Sequence, residues 1–129
     1  MEIRKEIKFE AAHVLSRYRG PCGNLHGHSY TGCIAIYDEV QGDDMVMDFN
    51  DITDLVNLLD HAIIFGSEDV RDAFEEALYS LCKQYDKKLV VIPYGRPTAE
   101  NIARYIATGI RHPCRVSLKE TATSEVVYQ

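Results

Sequence analysis

Phe9-Glu10-Ala11-Ala12-His13, then Cys22-Gly23-Asn24-Leu25-His26-Gly27-His28-Ser29-Tyr30, together place three histidines and a cysteine within sixteen residues. The second stretch leads into a run that carries Tyr30, Ile34, Ile36 and Val40 on one parity, which reads as a strand from near Gly27 to Val40. On a strand His26 and His28 stand two apart and leave from the same face, so both imidazoles reach one ion; a helix would splay them. Met1 to His13 alternates in part, with Ile3, Ile7 and Phe9 among charges, and reads as an earlier strand with one wet face. Antiparallel pairing through the intervening loop would bring His13 to the other two. Three neutral imidazoles suit zinc and leave a fourth tetrahedral position open for water or substrate, as in catalytic sites. Cys22 has two readings at this point. It is either a nucleophile or base beside the metal, or the fourth ligand of a closed structural site.

Working outward, the 129 residues read as one domain, 1–129, large enough for a core but small for an enclosed active site. A cleft shared between subunits fits that size. A formal net charge of -6 and a pI near 5.3 argue against nucleic acid or an anionic membrane as the main partner. Cysteines 22, 33, 82 and 114 form no C-x-x-C pair, and neither a signal peptide nor a long apolar run is evident. The expected compartment is a reducing cytoplasm with thiols free, and Cys33 and Cys82 are expected in the core.

Beyond the turn Gln41-Gly42-Asp43-Asp44 a hairpin partner is expected from Met45. Ile52, Leu55, Val56 and Leu59 then recur at helical spacing, with Asp48 or Asn50 as cap, and the helix ends at Asp60-His61. Taken alone, that pair reads as a helix end whose histidine suits the dipole. A second helix, Asp69 to Lys87, is expected to turn Val70, Phe74, Ala77, Leu78 and Leu81 inward and an acidic face to solvent, with Lys83, Lys87 and Lys88 near its end. Leu89 to Ile92 reads as a short strand stopped by Pro93 and Gly95. A helix from Pro97 or Thr98 to about Ile110 follows, then a strand from Arg115 to Tyr128 interrupted around Thr121 to Ser124. His112 reads as a surface residue. This order predicts an α+β fold with helices on one face of an antiparallel sheet, whose free edges several subunits can close into a barrel.

The chain resembles the 6-pyruvoyl-tetrahydropterin synthase superfamily, and within it the 6-carboxy-5,6,7,8-tetrahydropterin synthase branch of queuosine biosynthesis. The two stretches quoted first carry the resemblance, with Leu59-Asp60-His61, Pro97-Thr98-Ala99-Glu100-Asn101-Ile102 and Lys119-Glu120-Thr121 in the same order. The three residues between Cys22 and His26 match the spacing of that branch, whereas the pyruvoyl branch usually has a longer interval. The resemblance implies the tunnelling fold, with homohexamers built as dimers of trimers and active sites between subunits. It implies zinc (Zn2+) on His13, His26 and His28, Cys22 as base, Asp60 and His61 as the proton-transfer pair, Glu120 as pterin anchor, and Thr98 in the pterin pocket.

The implied reaction converts 7,8-dihydroneopterin triphosphate to 6-carboxy-5,6,7,8-tetrahydropterin, acetaldehyde and triphosphate; the alternatives are the pyruvoyl product or a zinc-containing binder without turnover. A carboxylate at Glu120 suits a pterin, which presents a 2-amino group and a ring N–H side by side. Arg17, Arg19 and Lys119 are the candidates for the triphosphate. Ala62-Ile63-Ile64-Phe65 departs from the x-x-Leu-Asn frequent in the family, which alters a side chain expected at the pocket border.

Overall fold

Alternation along the first run produces β1, Glu2–His13, and the run that opens on the paired histidines produces β2, His26–Tyr37. This is a computed structural model, and it describes residues 1–18 and 20–129. β1 and β2 pair antiparallel, Phe9 opposite Tyr30 and His13 opposite His26, and the Phe9 and Tyr30 rings stack with centroids 4.7 Å apart. β5, Cys114–Thr121, adds antiparallel to β2, and β6, Ser124–Tyr128, folds back on β5. Gly32 lets β2 and β5 close, because a Cβ there would run into the carbonyl of Ser117.

The other side of the sheet differs from the all-antiparallel expectation. β3, Ala62–Phe65, joins β1 in parallel, and β4, Leu89–Val91, joins β3 in parallel, giving the order β4-β3-β1-β2-β5-β6. β3 is short and apolar throughout, and Ala62, Ile64 and Phe65 are buried, so it has no wet face to make it alternate. Ile64 and Phe65, where the family often has Leu-Asn, are core residues here. The hairpin partner expected at Met45 does not form: the Gln41 amide bonds the Met45 carbonyl to close a turn, and no strand follows.

Two helices cover one face. α1, Phe49–Asn57, starts where Asp48 caps the Asn50 amide at 2.8 Å, and α3, Ala99–Thr108, starts where Thr98 caps Asn101. Ile52 and Val56 of α1 and Ile102 and Ile106 of α3 pack with Phe9, Tyr30, Ile34, Val116 and Leu118. Each fully buried aliphatic side chain contributes about 2 kcal/mol. The Lys88 ammonium donates to the carbonyls of Asn57 and Asp60, so it closes the end of α1 rather than that of the second helix.

α2, Ala73–Gln84, is shorter than expected and turned differently. Glu75 and Cys82 are buried, whereas Phe74 and Leu81 are half exposed, reversing the expected inward stripe. The reason lies in Tyr79, which meets Phe65 of β3 edge-on and takes the Arg71 guanidinium on its face at 4.4 Å. Aromatic docking outweighed the apolar stripe. Cys33 also departs from the expected core, since β2 alternation points it away from Ile34 and Ile36. His112 is only partly exposed and pairs with Asp38 at 2.8 Å. All four cysteines are free, and among the described residues no helix is long and apolar enough to cross a membrane.

Candidate metal centre

The antiparallel register puts His13, at the end of β1, opposite His26, at the start of β2, with His28 two residues on along the same face. Their ligand atoms form one cluster within 4.8 Å, with Nε2 of His26 3.0 Å from Nε2 of both His13 and His28. Backbone carbonyls set the tautomers. His13 Nδ1 donates to the Pro97 carbonyl and His26 Nδ1 to that of Asn24, each at 2.7 Å. A neutral imidazole that donates from Nδ1 presents a lone pair at Nε2. The lone pairs of His13 and His26, 3.0 Å apart, repel one another unless a cation stands between them, so with His28 beside them the donor set fits a metal and, by its chemistry, zinc.

Electrostatics agree with neutral rings. Burial, aided by the two neighbouring histidines, pushes His13 down to about 4, and burial likewise lowers His28. In the metal-free protein this links stability to pH. Above about pH 6.5 the ring is neutral whether folded or unfolded, and His13 adds no pH dependence. Below that the unfolded chain takes up a proton that the folded one refuses until about pH 4, so stability falls as pH drops through this window. The expected loss is about 3 kcal/mol, read as the difference in urea midpoint between chelator-treated wild type and His13→Gln at pH 7.5 and 4.5. A difference that does not change with pH would contradict a buried neutral His13.

Of three further residues expected from the sequence, Glu120 adjoins the cluster. Glu120 Oε1 is 3.6 Å from His13 Nε2 and 3.7 Å from His28 Nε2. Thr98 shares a cleft with Glu120, lined also by Leu15, Ala99 and Val126. Cys22 sits half-buried in the 3-10 turn Pro21–Gly23, which is pinned to the end of β1 by the Leu15 amide on the Cys22 carbonyl at 2.9 Å. Among the described residues the donor cluster contains the three imidazoles and not the Cys22 thiol.

Asp60 and His61 are not brought to this cluster within one chain. His61 has φ 60° and makes the left-handed turn from α1 into β3, a conformation in which histidine is enriched. Its exposed ring pairs with Asp60 at 3.0 Å, while Asp60 Oδ1 accepts from the Glu10 amide at 2.8 Å. That amide, then the His61 imidazole and Lys88, hold the Asp60 carboxyl below its usual range. His61 lines a shallow groove with Glu10 and Ser29, residues whose parity along β1 and β2 is opposite to that of His13 and His28. Of the triphosphate candidates, Lys119 likewise lies on the parity opposite to Glu120, Arg17 is exposed in the loop, and Arg19 lies outside the described residues.

One polar group went unnoticed in the sequence. The Tyr30 hydroxyl is buried without a hydrogen-bond partner, and burial, with Glu120 and then Cys22 adding to it, pushes the phenol up. The even parity that Tyr30 shares with His26 and His28 was the available signal.

A family model described as 6-pyruvoyl tetrahydropterin synthase matches residues 2–129. The chain belongs to the 6-pyruvoyl tetrahydropterin synthase family. This family member is 34% identical to the 6-carboxy-5,6,7,8-tetrahydropterin synthase of Haemophilus influenzae, over 99% of this chain and 98% of the relative. It is 30% identical to the enzyme of the same name from Aquifex aeolicus, over 99% and 97%. Among solved structures, the 6-pyruvoyl tetrahydropterin synthase of Caenorhabditis elegans superposes with a TM-score of 0.66 at 19% identity, covering 100% of this chain and 94% of that one. That of Plasmodium falciparum gives 0.64 at 22%, covering 99% and 96%. The fold is therefore the α+β tunnelling fold that the resemblance implies.

Proposed function

We propose that the chain is a zinc-dependent 6-carboxy-tetrahydropterin synthase, a lyase that converts 7,8-dihydroneopterin triphosphate to 6-carboxy-5,6,7,8-tetrahydropterin, acetaldehyde and triphosphate. One observation carries the reading. Two carbonyl-braced imidazoles and His28 converge beside a carboxylate, Glu120, that lines a cleft with Thr98, in a chain whose full-length relatives bear that enzyme's name.

Each residue has a role in keeping with its chemistry. His13, His26 and His28 hold the zinc, which when bound polarises the substrate's side-chain oxygens and acidifies neighbouring C–H bonds. Glu120 accepts the pterin's 2-amino and ring N–H groups through two oxygens, and Thr98 borders the ring. Cys22, outside the donor set, takes a proton from the substrate side chain. Asp60, 3.0 Å from Nδ1 of His61, orients the imidazole, the arrangement of a proton-transfer group held by a carboxylate.

The opposite parity of His61 and His13 supports a site completed by a second copy of the chain, within a homohexamer of two trimers. We place the protein as a single domain in the cytoplasm, in queuosine biosynthesis, with its four thiols free. The test is incubation of the zinc-loaded protein with 7,8-dihydroneopterin triphosphate, with products identified by mass. Acetaldehyde with 6-carboxy-tetrahydropterin is the expected result. The pyruvoyl product alone would move the chain to the other branch, and binding without turnover would make it a pterin binder.

A further inference from the structure

The Tyr30 hydroxyl is fully buried and finds no hydrogen-bond partner among the described residues. The packing of the ring does not call for it. Tyr30 lies parallel to Phe9, centroids 4.7 Å apart, in the same core cluster as Ile34, Val116 and Leu118, and phenylalanine would fill that place without burying an unpaired donor. A buried donor that the fold leaves without an acceptor points to an acceptor that a ligand brings into place.

The Glu120 carboxylate is the group within its reach. Thr31 of β2 stands opposite Lys119 of β5, so the next step along both strands sets Tyr30 level with Glu120, on the face that Val116 and Leu118 share. Side chains so placed have Cβ atoms about 5 Å apart. Both approach the same two histidines. The ring centroids of His13 and His28 are 6.3 and 5.5 Å from that of Tyr30, and their Nε2 atoms are 3.6 and 3.7 Å from Glu120 Oε1. Burial first, then the charge of Glu120, keeps the phenol protonated and therefore a donor.

We propose that Tyr30 is a positioning residue, whose hydroxyl donates to the Glu120 carboxylate when a pterin is bound and fixes the plane in which the two oxygens meet the paired N–H groups. This rests on the pterin reading given above. A carboxylate offers about four acceptor sites, so it takes two N–H donors and the phenol together. In the structure Oε1 of Glu120 is turned toward the histidines and the hydroxyl is left over; turning the carboxylate onto the N–H pair gives that hydroxyl its acceptor. The fold has already taken the hydroxyl out of water, so its bond to a charged acceptor adds to ligand affinity.

The experiment compares full-length, zinc-loaded wild type and Tyr30→Phe, each titrated with oxidised biopterin, a fluorescent pterin that carries the N–H pair, and each unfolded in urea without the pterin. Tyr30→Phe should hold as much zinc as wild type and unfold at no lower urea, since the lost hydroxyl had no partner, yet bind biopterin at least about tenfold more weakly. In a Glu120→Gln background, where the acceptor is uncharged, the same change should cost clearly less. Equal affinity of Tyr30→Phe and wild type overturns the proposal. So does an undiminished loss in the Glu120→Gln background, which would put the acceptor elsewhere, and so does a lower urea midpoint, which would make the hydroxyl a structural group already paired before the pterin arrives. If wild type itself does not bind biopterin, the pterin reading fails, and the positioning role with it.

Discussion

His28→Ala is expected to bind zinc at least about a hundredfold more weakly than wild type and to lose turnover in step. The site has three imidazoles, and removing one leaves two nitrogens 3.0 Å apart that no longer enclose an ion. No neighbouring thiol takes its place, since Cys22 lies outside the donor cluster. The substitution also empties space beside Tyr30, whose ring centroid is 5.5 Å from that of His28, but it removes no core residue, so the fold survives. Zinc competition against a buffered chelator, with circular dichroism as the folding control, reads the result. Stoichiometric zinc in the variant would remove His28 from the ligand set.

Cys22→Ala should separate the metal from the chemistry. The zinc content stays at one per chain, and product formation falls by about a thousandfold, the scale of a lost general base. The loop keeps its shape because it is held by backbone contacts, Leu15 to Cys22 and Asn24 to Pro21, which alanine preserves. Metal analysis of the purified variant and a single-turnover assay decide the matter together. Zinc lost with the thiol would make Cys22 a ligand and restore the closed structural site that the spacing alone left open.

These expectations rest on features of unequal legibility. The alternation of Ile7, Phe9 and Tyr30, Ile34, Ile36 was visible, and with it the common face of His26 and His28. The caps Asp48 and Thr98 were legible because their chemistry is local. β3 was not, because four apolar residues after a helix carry no period and its parallel partners lie far away in the chain. Nor was the face of α2, whose apolar residues fit two rotations until Tyr79 met Phe65. The separation of His61 from the metal cluster follows from counting: Glu10 and His13 differ in parity along β1, and β3 runs beside them in register. The carbonyls that orient His13 and His26 leave no trace in side-chain identity at all.

The longest of those braces runs from His13 to Pro97, 84 positions along the chain. When a metal fixes the His13 ring, it also fixes the hydrogen bond that holds the approach to α3 against the first hairpin. In chain-statistics terms the ion steadies a hydrogen-bonded link across a long loop, and opening that link returns to the chain an entropy that grows only with the logarithm of loop length. Metal loss would therefore be felt first by a protease, at the segment between β4 and α3, while the hairpin of β1 and β2 keeps its own ladder.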